Sequence, residues 1–322
     1  MRNKILGFAI LFVIASLVGF KFYQYKNPEK FPEQVQDSIV QTSVAVTETN
    51  TENTSSINIQ IERPINGTKY GVIEVGASGF NSFVIEADKN DNWELVSKEF
   101  GESLAYEGFI TIQDVQTGLK KYLAKMFEKG VAGRNAHFVM SSGALKNDKT
   151  KLIAKAIEDM GYVVNRVTAE QEGKYALKAL LPANYRDNSF VVDIGSGNTK
   201  ITYYKNGNPV SFEASGAKYY QNGKSDADVY NEISKIAANV PSEKRQNCFI
   251  IGGVPFKLAK EVRNAEERFT LLSNPNDYSF GDDVKLKSGL NIYKSLYETT
   301  SCNNFIFDWD ANFTIGFLLT LN

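Results

Sequence analysis

Two short apolar stretches, each running into an acid, one further residue and a glycine, constrain this chain more than any other feature. The clearer copy reads Phe190-Val191-Val192-Asp193-Ile194-Gly195-Ser196-Gly197-Asn198-Thr199. The earlier one reads Gly71-Val72-Ile73-Glu74-Val75-Gly76-Ala77-Ser78-Gly79. The apolar run of each reads as a buried strand and the small residues after it as a tight hairpin, with return strands over 83–87 and 201–204. An acid fixed at a strand end beside a glycine-rich turn suits phosphate and magnesium. The carboxylate holds the metal or its waters, and turn amides approach phosphate oxygens where a side chain would stand in the way. One copy alone reads best as an ordinary hairpin with an exposed acid. Two matched copies favour the phosphate reading.

Composition narrows the field further. The chain has 322 residues, 43% of them hydrophobic and 23% charged, enough for one bilobed domain or two small ones with a real core. A net charge of −1 without a long basic run gives no support to a nucleic-acid partner. Cys248 and Cys302 are the only cysteines, too few for a disulfide scaffold or a zinc site. The single histidine, His137, sits in an apolar, strand-like stretch and reads as structural, which argues against histidine-based triads and excludes multi-histidine metal sites.

The N-terminus is of a different kind. Residues 5–20 are an unbroken apolar run preceded by Arg2 and Lys4. Extended to Tyr25 with Lys21 snorkelling, the run is long enough for a single-pass transmembrane helix. No small-x-small cleavage site follows it, so residues 1–26 read as an uncleaved membrane anchor in preference to a signal-like segment. Basic residues flank the run on both sides and leave the side of the membrane open. Residues 27–67 are mostly polar, richest in Thr, Asn, Ser, Gln and Glu over 41–56, and read as a flexible linker.

From residue 68 onward two similar halves are expected, 68–186 and 187–322. In the first, strands lead to helices over 112–129, 148–160 and 169–181, with Thr168 and Gln171 placed for a capping box. In the second, three strands precede a helix over 226–238, capped by Ser225 and Asp228. A strand over 248–251 then meets Gly252-Gly253. Helices over 256–267 and 284–299, a strand over 304–307 and a last helix over 311–319 follow. Two β-β-β-α-β-α halves, each opening on the same acid–glycine device, imply an α/β fold of duplicated lobes with the ligand site in the cleft between them.

This organisation resembles the acetate kinase, sugar kinase and actin superfamily, whose lobes are actin-like (ribonuclease H-like). Within it the chain is most similar to the exopolyphosphatase and guanosine pentaphosphate phosphohydrolase family. The resemblance runs from about Thr68 to the C-terminus. It is carried by residues 72–81, by Ser141-Ser142-Gly143-Ala144-Leu145-Lys146, by Glu170-Gln171-Glu172-Gly173, by 192–199, by Ile251-Gly252-Gly253 and by the closing segment 286–319. It implies magnesium-assisted hydrolysis of a terminal phosphate from polyphosphate or a polyphosphorylated nucleotide. In that reading Glu172 deprotonates the attacking water, and Asp193 with Glu74 holds the metal. Phosphate oxygens meet Gly76, Ala77, Ser78, Gly195, Ser196, Gly197, Asn198 and Lys200, with the late turn at Gly252 and Gly253 beside them. A homodimer is compatible with it.

Three departures open a second reading. The family's second loop ends in Thr-Glu, where this chain has Thr199-Lys200; the first-loop aspartate is Glu74; and Thr314 stands where an arginine is usual. Replacing a carboxylate by an ammonium at a metal site changes the local charge by two units, so Lys200 either binds phosphate itself or abolishes metal-dependent turnover. A membrane-tethered phosphohydrolase is the favoured expectation. A catalytically weakened, phosphate- or nucleotide-binding scaffold module at the membrane is the alternative.

Overall fold

Both hairpins form, and each lies inside a mixed sheet of the same strand order. In the computed structural model, residues 57, 59–76, 79–101, 111–146 and 148–322 are described. Strands β1 (Thr68–Gly76), β2 (Gly79–Ala87) and β3 (Trp93–Phe100) form an antiparallel meander, and β4 (Ala136–Met140) and β5 (Val164–Arg166) extend it in parallel in the order β3-β2-β1-β4-β5. In the second half, β6 (Ser189–Ile194), β7 (Asn198–Lys205) and β8 (Asn208–Ser215) make the same meander. Strands β9 (Asn247–Ile251) and β11 (Asn304–Asp308) add to it in parallel, in the order β10-β11-β9-β6-β7-β8. The one strand without a counterpart is β10 (Phe269–Leu271), antiparallel at the edge.

Seven α-helices, with a few single 3-10 turns between elements, complete the described fold: α1 (Ile112–Glu128), α2 (Lys149–Asp159), α3 (Ala169–Leu180), α4 (Asp226–Ala237), α5 (Gly253–Val262), α6 (Val284–Thr300) and α7 (Phe313–Leu318). The expected capping box at Thr168 and Gln171 is present, as is the Ser225 cap. Asp148 makes no cap hydrogen bond to α2.

Side chains alternate across a strand, so each sheet has two apolar faces to cover. Ile73 and Val75 pack with Leu119, Met126, Ile153 and Ile157 of α1 and α2. Val192 and Ile201 pack with Ile233, Leu258 and Leu296 of α4, α5 and α6. The remaining faces share one core, in which Val72 and Val191 meet Ala176, Leu177, Ile315 and Leu318 of α3 and α7. The layers therefore run helices, sheet, α3 with α7, sheet, helices. The same alternation turns Glu74, two residues beyond Val72, and Asp193, two beyond Val191, toward the central layer.

The stretch expected as the end of the linker is partly packed. Ile59 is buried in the central core, and the Ile65 amide donates to Asp88 Oδ2 at 3.0 Å. The expected anchor over 1–26 lies outside the described residues, as does nearly all of the expected linker before Ile57. Among the described residues no helix is long and apolar enough to cross a membrane.

Candidate functional site

Glu172 is on the first turn of α3, Glu74 near the end of β1, and Asp193 and Lys200 face each other across the β6–β7 hairpin. All four meet in the central layer. They are almost wholly buried, with exposures of 1% for Glu172, 8% for Glu74, 7% for Asp193 and 4% for Lys200. Two surface hollows, of about 640 and 490 Å3, lie elsewhere, one beside Trp93 and Arg268 and the other beside Arg186 and Lys244.

The Lys200 ammonium sits between two carboxylates. Its Nζ pairs with Glu172 Oε2 and lies 3.1 Å from Asp193 Oδ2. Burial by itself would push this ammonium toward the neutral amine, but the charges of Asp193 and Glu172 outweigh it and hold Lys200 above the ordinary lysine value. The other oxygen of Glu172 accepts from the Ser142 amide. Sequence reasoning missed this contact, although its signal was present in the Ser141–Lys146 segment that carries part of the resemblance.

Glu74 is handled differently. Its Oε2 accepts from Asn81 Nδ2 at 2.9 Å and from Asn312 Nδ2 at 3.2 Å. Burial, together with the charges of Asp193 and Glu172, outweighs the Asn81 hydrogen bond and the Lys200 charge, and raises its pKa to about 7. Asn312 is in turn fixed by Thr314, whose amide and hydroxyl both donate to Asn312 Oδ1, at 2.8 and 2.7 Å. At the position where the resembled family carries an arginine, this chain thus orients a neutral amide toward the acid.

The second loop is closed on itself. Asn198 is buried, and its Nδ2 donates to Ser142 Oγ at 2.9 Å and to Glu213 Oε1 at 2.8 Å. The Gly195 amide donates to Asn198 O, while Gly195 O and Ser196 O accept from the Ala217 and Lys218 amides. A Cβ at Gly216 would collide with the backbone of Gly195, Gly197 and Asn198, so Gly216 lets the next segment close over the loop. On the first loop Gly76 pairs with Gly79, and Ala77 and Ser78 lie outside the described residues. Gly252, at φ +115°, packs its backbone against Ile194 at the end of β6, where any Cβ would strike the Ile194 carbonyl. That brings the Gly252-Gly253 turn beside the second loop.

These residues do not fit the magnesium ion that the resemblance implied. The place between Glu172 and Asp193 is filled by an ammonium ion-paired with both. Among the described residues no group of three or more acidic, histidine or cysteine side chains could hold a metal ion. His137 is half-buried, with its ring edge-to-face on Phe317, and Cys248 and Cys302 are buried free thiols.

No protein-family model and no curated protein sequence matches the chain. Solved structures do. The Aquifex aeolicus member of the Ppx/GppA protein family superposes with a TM-score of 0.59 at 16% identity, over 79% of this chain and 97% of its own. An exopolyphosphatase from Cytophaga hutchinsonii gives 0.59 at 15% identity, over 79% and 97%. An exopolyphosphatase-like protein gives 0.58 at 11% identity, over 80% and 98%. The chain is thus similar in fold to Ppx/GppA proteins along nearly their whole length.

Proposed function

We propose that this chain is a non-hydrolytic binding module built on an exopolyphosphatase-type scaffold, with a tethered ammonium at the place of a catalytic cation. The observation that carries this reading is the buried triad of Glu172, Lys200 and Asp193. A general base must be within hydrogen-bond reach of the water it deprotonates. Glu172 is ion-paired with an ammonium through one oxygen, accepts from the Ser142 amide with the other, and at 1% exposure is out of reach of a water from solvent. Phosphoryl transfer also needs positive charge on the phosphate oxygens in the transition state. Lys200, the cation closest to Glu172, faces carboxylates. The fold supports a phosphorylated ligand, polyphosphate or a polyphosphorylated nucleotide, as what the module binds. The apolar run over 5–20 and the polar stretch after it support attachment to a membrane.

Phosphate release from long-chain polyphosphate and guanosine pentaphosphate tests this directly. The full chain is assayed with and without magnesium, beside Glu172→Gln. The expected result is release no greater than that of Glu172→Gln. Magnesium-dependent release that Glu172→Gln abolishes would restore the hydrolase reading.

A further inference from the structure

The residues ahead of β1 do more than lead into it. Ile57, Ile59 and Ile61 alternate along the chain, and in an extended segment alternate residues share one face. This row packs into the central core, with Ile59 buried and the other two half-buried. Four residues after Ile61, the Ile65 amide is tied to Asp88 Oδ2 at 3.0 Å, in the turn between β2 and β3.

The resulting strap lies at the seam between the two halves. The hollow of about 640 Å3 is lined by its three isoleucines, by Trp93 and Leu95 of β3, and by Phe269 of β10. β3 is an edge strand of the first sheet and β10 an edge strand of the second. Other contacts cross the same seam. The Arg268 guanidinium lies 4.4 Å from the centre of the Trp93 ring, and Lys98 Nζ donates to Trp309 O at 2.7 Å. The stretch after β11 joins this seam to the buried acids. Asp310 lines the hollow, and Asn312, two residues on, donates to Glu74 Oε2 at 3.2 Å.

The strap is held by its side chains. Among the described residues from 57 to 64, no backbone amide or carbonyl pairs with another backbone group. Gln60, Glu62 and Arg63 are exposed. Fixing the backbone of one residue costs about as much as half-burying an aliphatic side chain gains. With alternate residues turned outward and no ladder bonds, the gain and the cost of seating the strap nearly cancel. A segment with few buried contacts and a solvent-exposed backbone opens before the rest of a fold does. Upstream, the sequence continues into the polar stretch and the apolar run, so a pull or a partner acting there reaches the seam through the strap.

We infer that the strap from Ile57 to Ile65 is a releasable latch across the β3 and β10 edges, through which the N-terminal part of the chain controls how firmly the two halves close. The latch is independent of which ligand the chain binds and of whether it hydrolyses it.

The test is a distance measurement across the seam in the full chain. Spin labels are attached at Asn90→Cys, in the turn between β2 and β3, and at Glu266→Cys, ahead of β10. Both positions are exposed, whereas the native Cys248 and Cys302 are buried. With the native strap, one narrow distribution of distances is expected. The double change Ile57→Ser with Ile61→Ser should add a population at longer distance. Gln60→Ser, an exposed change in the same strap, should leave the distribution narrow. Helical circular dichroism reports whether the double variant is folded; if it is not, the single changes Ile57→Ser and Ile61→Ser, each at a half-buried position, take its place. An unchanged distribution in a folded isoleucine variant would overturn the latch, and so would equal broadening by Gln60→Ser.

Discussion

The two hairpins carry the same strand–acid–x–glycine device and keep their acids buried by opposite means. At the second, Asp193 is held as one arm of an ion triad with Lys200 and Glu172. At the first, Glu74 has no cation in contact among the described residues, accepts from two neutral amides and has its pKa raised to about 7. One ammonium inside a group of three acids is enough to pair two of them directly. The third is left to neutralise by taking up a proton, because an unpaired buried carboxylate is expensive to keep charged. In this chain, repetition of a motif preserved the backbone and not the electrostatics.

The largest effect that can break this comparison is expected at Lys200. Lys200→Met leaves Glu172 and Asp193 buried without their cation and should destabilise the protein by about 3–5 kcal/mol, read from urea unfolding at pH 7. A loss under about 1 kcal/mol would mean that the triad does not hold the two carboxylates.

Glu74 gives the next effect, with a sign that depends on pH. A carboxyl whose pKa is raised from 4.5 to about 7 binds its proton more tightly in the folded state. Its contribution is therefore full below pH 4.5 and is lost as pH rises through 7. Glu74→Gln should accordingly gain stability relative to the native protein across that window, reaching about 1–3 kcal/mol by pH 8. A difference between the two proteins that stays flat from pH 4.5 to 8 would show that Glu74 is an ordinary charged acid.

The smallest effect is at the amide that orients on Glu74. Asn312→Ala should cost about 1 kcal/mol at neutral pH and shift the Glu74 titration upward, as followed by carboxyl NMR. An unchanged titration would mean that the 3.2 Å contact contributes nothing to the charge of Glu74.

The β1–β2 and β6–β7 hairpins, the order of the elements around them and the α3 capping box were legible because each rests on local pattern. β10 was not. It has three residues, too few for a period, and follows a charged stretch over 263–268. Its place is set by Arg268, which forks onto Asp308 at 3.1 Å and lies over the Trp93 ring at 4.4 Å, contacts distant in sequence. Helix α5 begins at Gly253, three residues before the expected start, because Gly252 adopts a positive φ that turns the chain directly into the helix. Within the site, the meeting of Glu172, Asp193 and Glu74 followed from the resemblance. The direction of Lys200 could have been read from the hairpin itself, since a short two-strand turn sets Asp193 opposite Lys200 on one face. Asn312 left no such signal, because its partner is 238 residues away.

The central claim is that an ammonium occupies the place of a cation. It is tested most directly by titrating manganese into the full chain beside Asp193→Asn and following the metal's electron paramagnetic resonance signal. The account predicts no saturable manganese binding that depends on Asp193. Saturable binding to the native protein that Asp193→Asn removes would show that Lys200 yields to a metal, and would contradict it.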